Sequence, residues 1–322
     1  MVKFGIMGAG KIAHKFAQAV IGINEYLYAV GSRDLLRANA FQERYELQKA
    51  YGSYEELLAD PQVDCIYIAT PMSEHYNNML ACLEAGKHIL CEKSFTVNKK
   101  EAEHILTIAK EKGLFVMEAM WTRFLPTIQE VQKLVNEGVI GDIISIEAYI
   151  TMFLDFPMTS RIYSKSLGGG ALLDLSVYPI HLANLFLGVP DSFETEVKFA
   201  STGVDTEEKI TYFYPHSTAT LYASVIHEDK REATIYGTKG YVHIPDFWST
   251  ESATVYNNHH KVIRQIDHKH IVNGFEYEIF ETVRCIKKKW NESPVLSHAT
   301  TQEIMRQMDA IRKTWGLVYP QD

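Results

Sequence analysis

Val2-Lys3-Phe4-Gly5-Ile6-Met7-Gly8-Ala9-Gly10-Lys11-Ile12-Ala13 starts as an apolar run, breaks into glycines and resumes in a helical pattern. The order strand, glycine turn, helix has a physical use. Gly8 permits the tight turn, Gly10 lets a pyrophosphate approach the backbone, and the small Ala13 lets helix and strand pack closely. Lys11 and Ile12 begin the helix whose free N–H groups face the phosphates. Glycines at this spacing also suit an ordinary turn, and the flanking strand and helix are what direct the reading toward a dinucleotide.

Outward from that stretch, apolar runs and helical patterns alternate with short connections up to about residue 120. Helices are predicted over 11–21, 35–45, 54–59, 74–85 and 99–112, with strands at 26–32, near 50, at 65–70 and at HIL, 88–90. Such alternation requires a parallel sheet covered on both faces, a doubly wound Rossmann domain over 1–120. Beyond it the texture changes to period-two runs rich in β-branched and aromatic residues, among them IISIEAYITMF, KITYFYP and TATLYASVIH. These predict an α+β domain over 121–322 with a large, mostly antiparallel open sheet. Helices are expected at 127–137, 171–187, 274–290 and 301–315, the last ones being candidates to pack back on the first domain.

The bulk properties narrow the partners. A chain of 322 residues exceeds one ordinary core, and 46% apolar with 22% charged residues is globular. A net charge of −8 argues against nucleic acid or an anionic membrane surface. Cys65, Cys82, Cys91 and Cys285 form no CxxC pair, and a strand starting at residue 2 leaves no room for a signal peptide, so a reducing cytoplasm is expected. ALLDLSVYPIHLANLFLG is interrupted by Asp174, His181 and Asn184, so no membrane span is expected. An open antiparallel sheet must cover its second face, which points to a homodimer through it.

Four places carry polar groups toward one site. At the end of the second strand, where an NAD-binding unit places an acid on the ribose hydroxyls, the chain reads Gly31-Ser32-Arg33-Asp34. Ser32, Arg33 and Arg37 suit a 2′-phosphate and hence NADP, with NAD as the other cofactor the fold accepts. The two arginines are otherwise solvated helix-start charges, and Asp34 is an N-cap. Thr70, Pro71 and His75 follow a buried strand at its cofactor edge, although Thr-Pro there is also a common turn. Glu92 and Lys93 end the next strand on the same edge. Near a nicotinamide, Lys93 would bind a substrate hydroxyl or lower the pKa of a neighbouring acid. Last, Gly168-Gly169-Gly170 precede a helix bearing Asp174, Tyr178 and His181. Tyr178 as an acid/base group needs a cation beside it, and the competing reading is a packed tyrosine hydrogen-bonded to Asp174. The His259-His260 and His268-His270 pairs lack cysteine or carboxylate ligands at coordinating spacing, so no metal is expected.

These stretches, in this order, resemble the Gfo/Idh/MocA family of NAD(P)-dependent oxidoreductases along essentially the whole chain. EAMWTRFLP (118–126), GGGALLDLSVY (168–178) and GFEYEIFETVRCI (274–286) are similar to its branch of dimeric dihydrodiol dehydrogenases and NADP-dependent D-xylose dehydrogenases. The resemblance implies an active site between the two domains, dimers through the open sheet, and hydride transfer at a hydroxyl or carbonyl carbon of a sugar or small diol. Lys93 matches the lysine of the family's Glu-Lys-Pro motif, with Ser94 in place of the proline. Tyr178 matches the branch's proton carrier, with Asp174 as orienting carboxylate. Trp121 and Arg123 match a wall of the substrate cleft, with His181 secondary. A non-catalytic sensor of NADP and sugar on the same fold is the alternative, which loss of the lysine or proton carrier would have favoured. A reductase of a tetrapyrrole or other unsaturated substrate is a third, against which the WTRF segment argues.

Overall fold

A computed structural model describes residues 1–322, and the chain forms two compact units. Met1–Met120 with His270–Met305 make the first, and Trp121–Lys269 with Arg306–Asp322 make the second.

In the first unit β1 (Lys3–Met7), β2 (Tyr26–Gly31), β3 (Lys49–Tyr51), β4 (Cys65–Ile68), β5 (His88–Glu92) and β6 (Val116–Ala119) form one parallel sheet, ordered β3-β2-β1-β4-β5-β6. Cys65, Ile66, Tyr67 and Ile68 are all fully buried, as expected of a strand covered on both faces. The crossover helices are α1 (Lys11–Gly22), α2 (Leu35–Tyr45), α3 (Tyr54–Ala59), α4 (His75–Glu84) and α5 (Lys99–Lys112). Local chemistry sets their starts: Asp34, Ser53 and Asn98 each accept a backbone N–H of the helix they precede. The strand order reverses between β1 and β4, which brings the loops after those two strands together at the sheet's carboxyl edge.

The second unit is built on an eight-stranded sheet. Its strands are β7 (Ile143–Thr151), β8 (Ser192–Phe199), β9 (Asp205–Phe213), β10 (Thr218–Ser224), β11 (Arg231–Gly237), β12 (Gly240–Pro245), β13 (Ser252–Asn257) and β14 (Val262–Asp267), in the order β14-β13-β12-β11-β7-β10-β9-β8. Every pair is antiparallel except β10 with β7. Alternation fixes the register: Ile146 faces Ile235 and Ala148 faces Ala233 on the buried side. The opposite side carries half-buried Tyr149, Tyr222, Tyr236, Tyr241 and Tyr256. Two helices, α6 (Pro126–Asn136) and α7 (Val177–Leu187), belong to this unit.

The predicted helix over 171–187 is two pieces. Leu172–Ser176 form a π-helical turn, in which the N–H of Val177 reaches back to Leu172 O, and α7 starts only after it. Pro179 has no N–H to return to Leu175 O, so an α ladder cannot run unbroken here. By composition Lys165–Leu187 could cross a bilayer, but 72% of its most apolar window is buried inside the fold, as in a core helix.

Further boundaries differ. The strand predicted over 65–70 ends at Ile68, and the helix predicted from 74 starts at His75 after a short 3-10 turn, Met72–Glu74. The late helices are α8 (Glu276–Lys287) and α9 (His298–Thr314). The start of α8 is set by Glu276, whose carboxylate accepts the N–H groups of Ile271, Val272, Asn273 and Gly274. Within the first unit α8 packs on α1.

Candidate functional site

The polar groups singled out above fall in both units, and each set is built separately. In the first unit, Gly8 has φ +101° and gives its N–H to Gly31 O at 2.9 Å. A Cβ there would stand 3.0 Å from Ala69 O, so the turn between β1 and α1 requires glycine. Gly10 is the N-cap of α1, makes no side-chain cap bond, and has open space where a Cβ would be. The first N–H groups of α1 thus lack a side-chain cap on an accessible side, the arrangement that receives a pyrophosphate.

At the end of β2, Ser32 Oγ accepts from Asp34 N at 3.2 Å. Asp34 Oδ1 accepts from Leu36 N and Arg37 N at 3.0 and 3.3 Å, which is the cap expected of it. Arg33 is exposed; Arg37, 77% exposed, lies 3.5 Å from Asp34. Two cations and a hydroxyl border this edge without a carboxylate at the strand-end position, a donor set fitted to a phosphate monoester.

His75 ties two loops at the carboxyl edge of the first sheet together from within. Its ring is 1% exposed, with Nε2 3.0 Å from Thr70 O and Nδ1 3.0 Å from Ser94 O. It thereby joins the loop after β4 to the loop that presents Lys93. Sequence reasoning placed His75 and Thr70 beside the cofactor; Thr70 Oγ1 accepts from Asn78 at 2.9 Å. The peptide between Lys93 and Ser94 is cis. Pro71 precedes the 3-10 turn in extended conformation.

The interior of the first unit holds buried glutamates that the sequence did not reveal as a cluster. Glu92 accepts from Tyr67 OH, and the Tyr67 ring stacks on Phe16 with centroids 3.7 Å apart. Glu278 on α8 is fully buried and neither carboxyl oxygen has a hydrogen-bond partner. Burial pushes its pKa well above the usual carboxylate value, with the charges of Glu92, Glu118 and Glu276 adding to the shift. A raised folded-state value means its favourable contribution is complete below pH ~4.5 and is lost as pH rises through the folded pKa. Glu278→Gln removes that loss. Its melting temperature is expected to exceed the native chain's by a margin that widens from pH ~5 to ~9, and parallel melting curves would contradict this.

In the second unit, Trp121–Phe124 form a 3-10 turn in which Trp121 Nε1 donates to Tyr178 OH at 3.3 Å. Tyr178 and Trp121 are each 8% exposed, and Arg123 is 6% exposed. Asp174, within the π-helical turn, accepts from Arg161 Nη2 at 3.0 Å. Arg161 was missed: it lies thirteen residues upstream, before the glycine triplet, and no helical or strand spacing links the two. His181 is 1% exposed on α7. Gly169 and Gly170 are needed sterically, since a Cβ on Gly169 would stand 2.4 Å from Arg161 O and one on Gly170 2.3 Å from Asp205 Oδ1. No three His, Cys, Asp or Glu side chains converge as a metal-ligand set, and His268 pairs with Glu130.

A sequence model of the oxidoreductase family with an NAD-binding Rossmann fold, Gfo/Idh/MocA, matches residues 2–120, and the model of that family's C-terminal domain matches 128–243. The chain belongs to the Gfo/Idh/MocA family. Trans-1,2-dihydrobenzene-1,2-diol dehydrogenase of Xenopus tropicalis is 33% identical over 333 residues, covering 99% of each chain. The enzyme of that name from Mus musculus is 32% identical over 331 residues, covering 100% of this chain and 99% of its own. Among solved structures, a 3-ketoreductase from Actinomadura kijaniata in complex with NADP and TDP-benzene superposes with a TM-score of 0.87 at 26% identity, covering 97% of both chains. A levoglucosan dehydrogenase complex shares the fold, with a TM-score of 0.85 at 20% identity over 98% of this chain and 97% of its own. The chain is accordingly an NAD(P)-dependent oxidoreductase acting on CH–OH groups.

Proposed function

We propose that the protein is an NADP-dependent dehydrogenase or reductase working at a hydroxyl or carbonyl carbon of a sugar or small diol, with Tyr178 as proton carrier. The observation that carries this reading is full-length similarity to diol dehydrogenases combined with the presence of both a strand-end lysine, Lys93, and a buried tyrosine held by Trp121. A bound nicotinamide would supply the hydride acceptor or donor. The chain's own part is positioning and proton handling. In the oxidative direction Tyr178 takes the hydroxyl proton as the carbon loses its hydride, and in the reductive direction it returns that proton to the oxygen. Lys93 sets positive charge against the reacting oxygen, Asp174 with Arg161 orients the segment ahead of Tyr178, and Trp121 offers an aromatic wall to the apolar side of the substrate. Arg123 and His181 complete the substrate side.

Gly8 to Ala13 take the pyrophosphate, and Ser32, Arg33 and Arg37 take the 2′-phosphate. Arg33→Ala is expected to raise KM for NADP by about tenfold or more, the loss of one charge-assisted bond, while KM for NAD barely changes. Equal effects on the two cofactors would remove the preference for NADP. The test of the function as a whole is nicotinamide absorbance with both cofactors against aldoses, inositols, dihydrodiols and dicarbonyls. Binding of NADP without turnover of any of them would favour a sensor.

The half-buried tyrosine face of the large sheet supports a homodimer, for which light scattering at micromolar concentration should give twice the single-chain mass. A monomeric mass would oppose it. All four cysteines are free and buried, consistent with a cytoplasmic location that cell fractionation can check.

A further inference from the structure

We propose that Asp205 and Glu208 are positioning residues for proton transfer: two buried carboxyls on β9 that hold the two ends of the π-helical turn and so fix where the Tyr178 hydroxyl lies. The proposal rests on the reading of Tyr178 as proton carrier.

The geometry is local to the second unit. Asp205 is fully buried and its Oδ2 accepts the N–H of Leu172, the first residue of the turn, at 2.5 Å. Glu208 is 1% exposed and its Oε1 accepts from Ser176 Oγ, on the last residue of the turn. The turn between these anchors contains Asp174, and Tyr178 follows two residues after the second anchor. Gly170, where a Cβ would strike Asp205 Oδ1, lets the carboxyl reach the turn. A π-turn is an uncommon and easily lost conformation, so external hydrogen bonds at both ends have a plain purpose: they hold it in register.

Neither carboxyl spends its full bonding capacity on this task. Asp205 Oδ1 and Glu208 Oε2 have no hydrogen-bond partner. Buried side by side, the two cannot both ionise at low cost. Burial raises Glu208 well above the usual range, the charge of Asp205 raises it further, and burial lifts Asp205 to about 6. Protonation therefore falls on Glu208 in preference to Asp205, whose carboxylate is stabilised by the N–H groups of Leu172, Ala171 and its own residue. The neighbouring titratable groups are Glu207, paired with Lys198 and close to His227, then Tyr222, and Tyr319, which donates to Gly169 O beside Arg312. On the turn itself the charged groups are Asp174 and its partner Arg161. Below about pH 6 Asp205 gains a proton, its bond to Leu172 loses its charge, and the turn is less firmly held.

The test is spectroscopic and independent of substrate. In NADP-saturated protein with isotope-labelled tyrosine, the Tyr178 ring resonance is assigned by its disappearance in Tyr178→Phe and followed from pH ~5 to ~8. It should shift with a midpoint near 6 in the native chain and lose that midpoint in Asp205→Asn. Glu208→Gln, which keeps an acceptor and mimics the protonated acid, should retain the native resonance, whereas Glu208→Ala should displace it. Ser176→Ala removes the same bond without altering a carboxyl, and should reproduce the Glu208→Ala shift if that variant fails to fold. With a substrate identified by the panel, Asp205→Asn should lower kcat about tenfold or more with KM for NADP unchanged, and should lose nothing further when combined with Tyr178→Phe. A Tyr178 resonance indifferent to pH and unmoved by Asp205→Asn, Glu208→Ala and Ser176→Ala would overturn the proposal and leave the proposed function standing. Near-native turnover of Tyr178→Phe would instead overturn the reading on which it rests.

Discussion

Replacing Tyr178 by phenylalanine is expected to cut turnover about 10²-fold or more while leaving NADP affinity nearly unchanged. The substitution removes one hydroxyl and keeps the ring, which is buried to 8% exposure, so the packing of α7 survives. What is lost is the oxygen that Trp121 Nε1 holds at 3.3 Å and the proton it carries. Because the Rossmann sheet lies in the first unit and Tyr178 in the second, a selective loss of kcat separates proton transfer from nucleotide binding. Fluorescence titration with NADP alongside steady-state rates measures both. Turnover within about threefold of native would remove Tyr178 from the mechanism.

A comparable loss, again about 10²-fold or more, is expected of Lys93→Met. Methionine keeps the length and apolar stem of the half-buried lysine and removes only its charge. If Lys93 acts on the oxygen where charge develops, the defect falls chiefly on kcat. If it merely contributes to binding, KM for the substrate rises and kcat stays. Steady-state rates across substrate concentration distinguish the two, and unchanged kcat would restrict Lys93 to substrate binding.

The sequence carried the first sheet clearly because strands buried on both faces read as unbroken apolar runs, of which Cys65–Ile68 is the plainest. Asp34 was equally legible, since an N-cap depends on groups two and three residues away. The π-helical turn was not. A spacing of four from Asp174 to Tyr178 assumes an unbroken α-helix, whereas the turn depends on Pro179 within the segment and on Asp205 and Glu208 some thirty residues ahead. Arg161 was hidden for the same reason, and so was the part played by His75, whose two carbonyl partners sit on separate loops. Glu278 is one of several glutamates on α8, set between Tyr277 and Ile279. Nothing in the sequence set it apart from the charged residues around it, because its isolation is produced by the elements packed over it. Pairings within one turn were visible, and those made by chain reversal were not.

The first unit is discontinuous, and this bears on the order in which the protein can be made. Its sheet is complete once residue 119 has been synthesised, but α8, which packs on α1 and buries Ile279 and Val283, arrives more than 150 residues later. A ribosome adding roughly 5–20 residues per second leaves that surface uncovered for many seconds, while the whole eight-stranded sheet of the second unit emerges in between. The nucleotide-binding unit, first to be translated, is therefore finished only after the second unit's sheet has emerged. Until α8 arrives, the face of α1 that it covers is a surface a chaperone would have to shield on the growing chain.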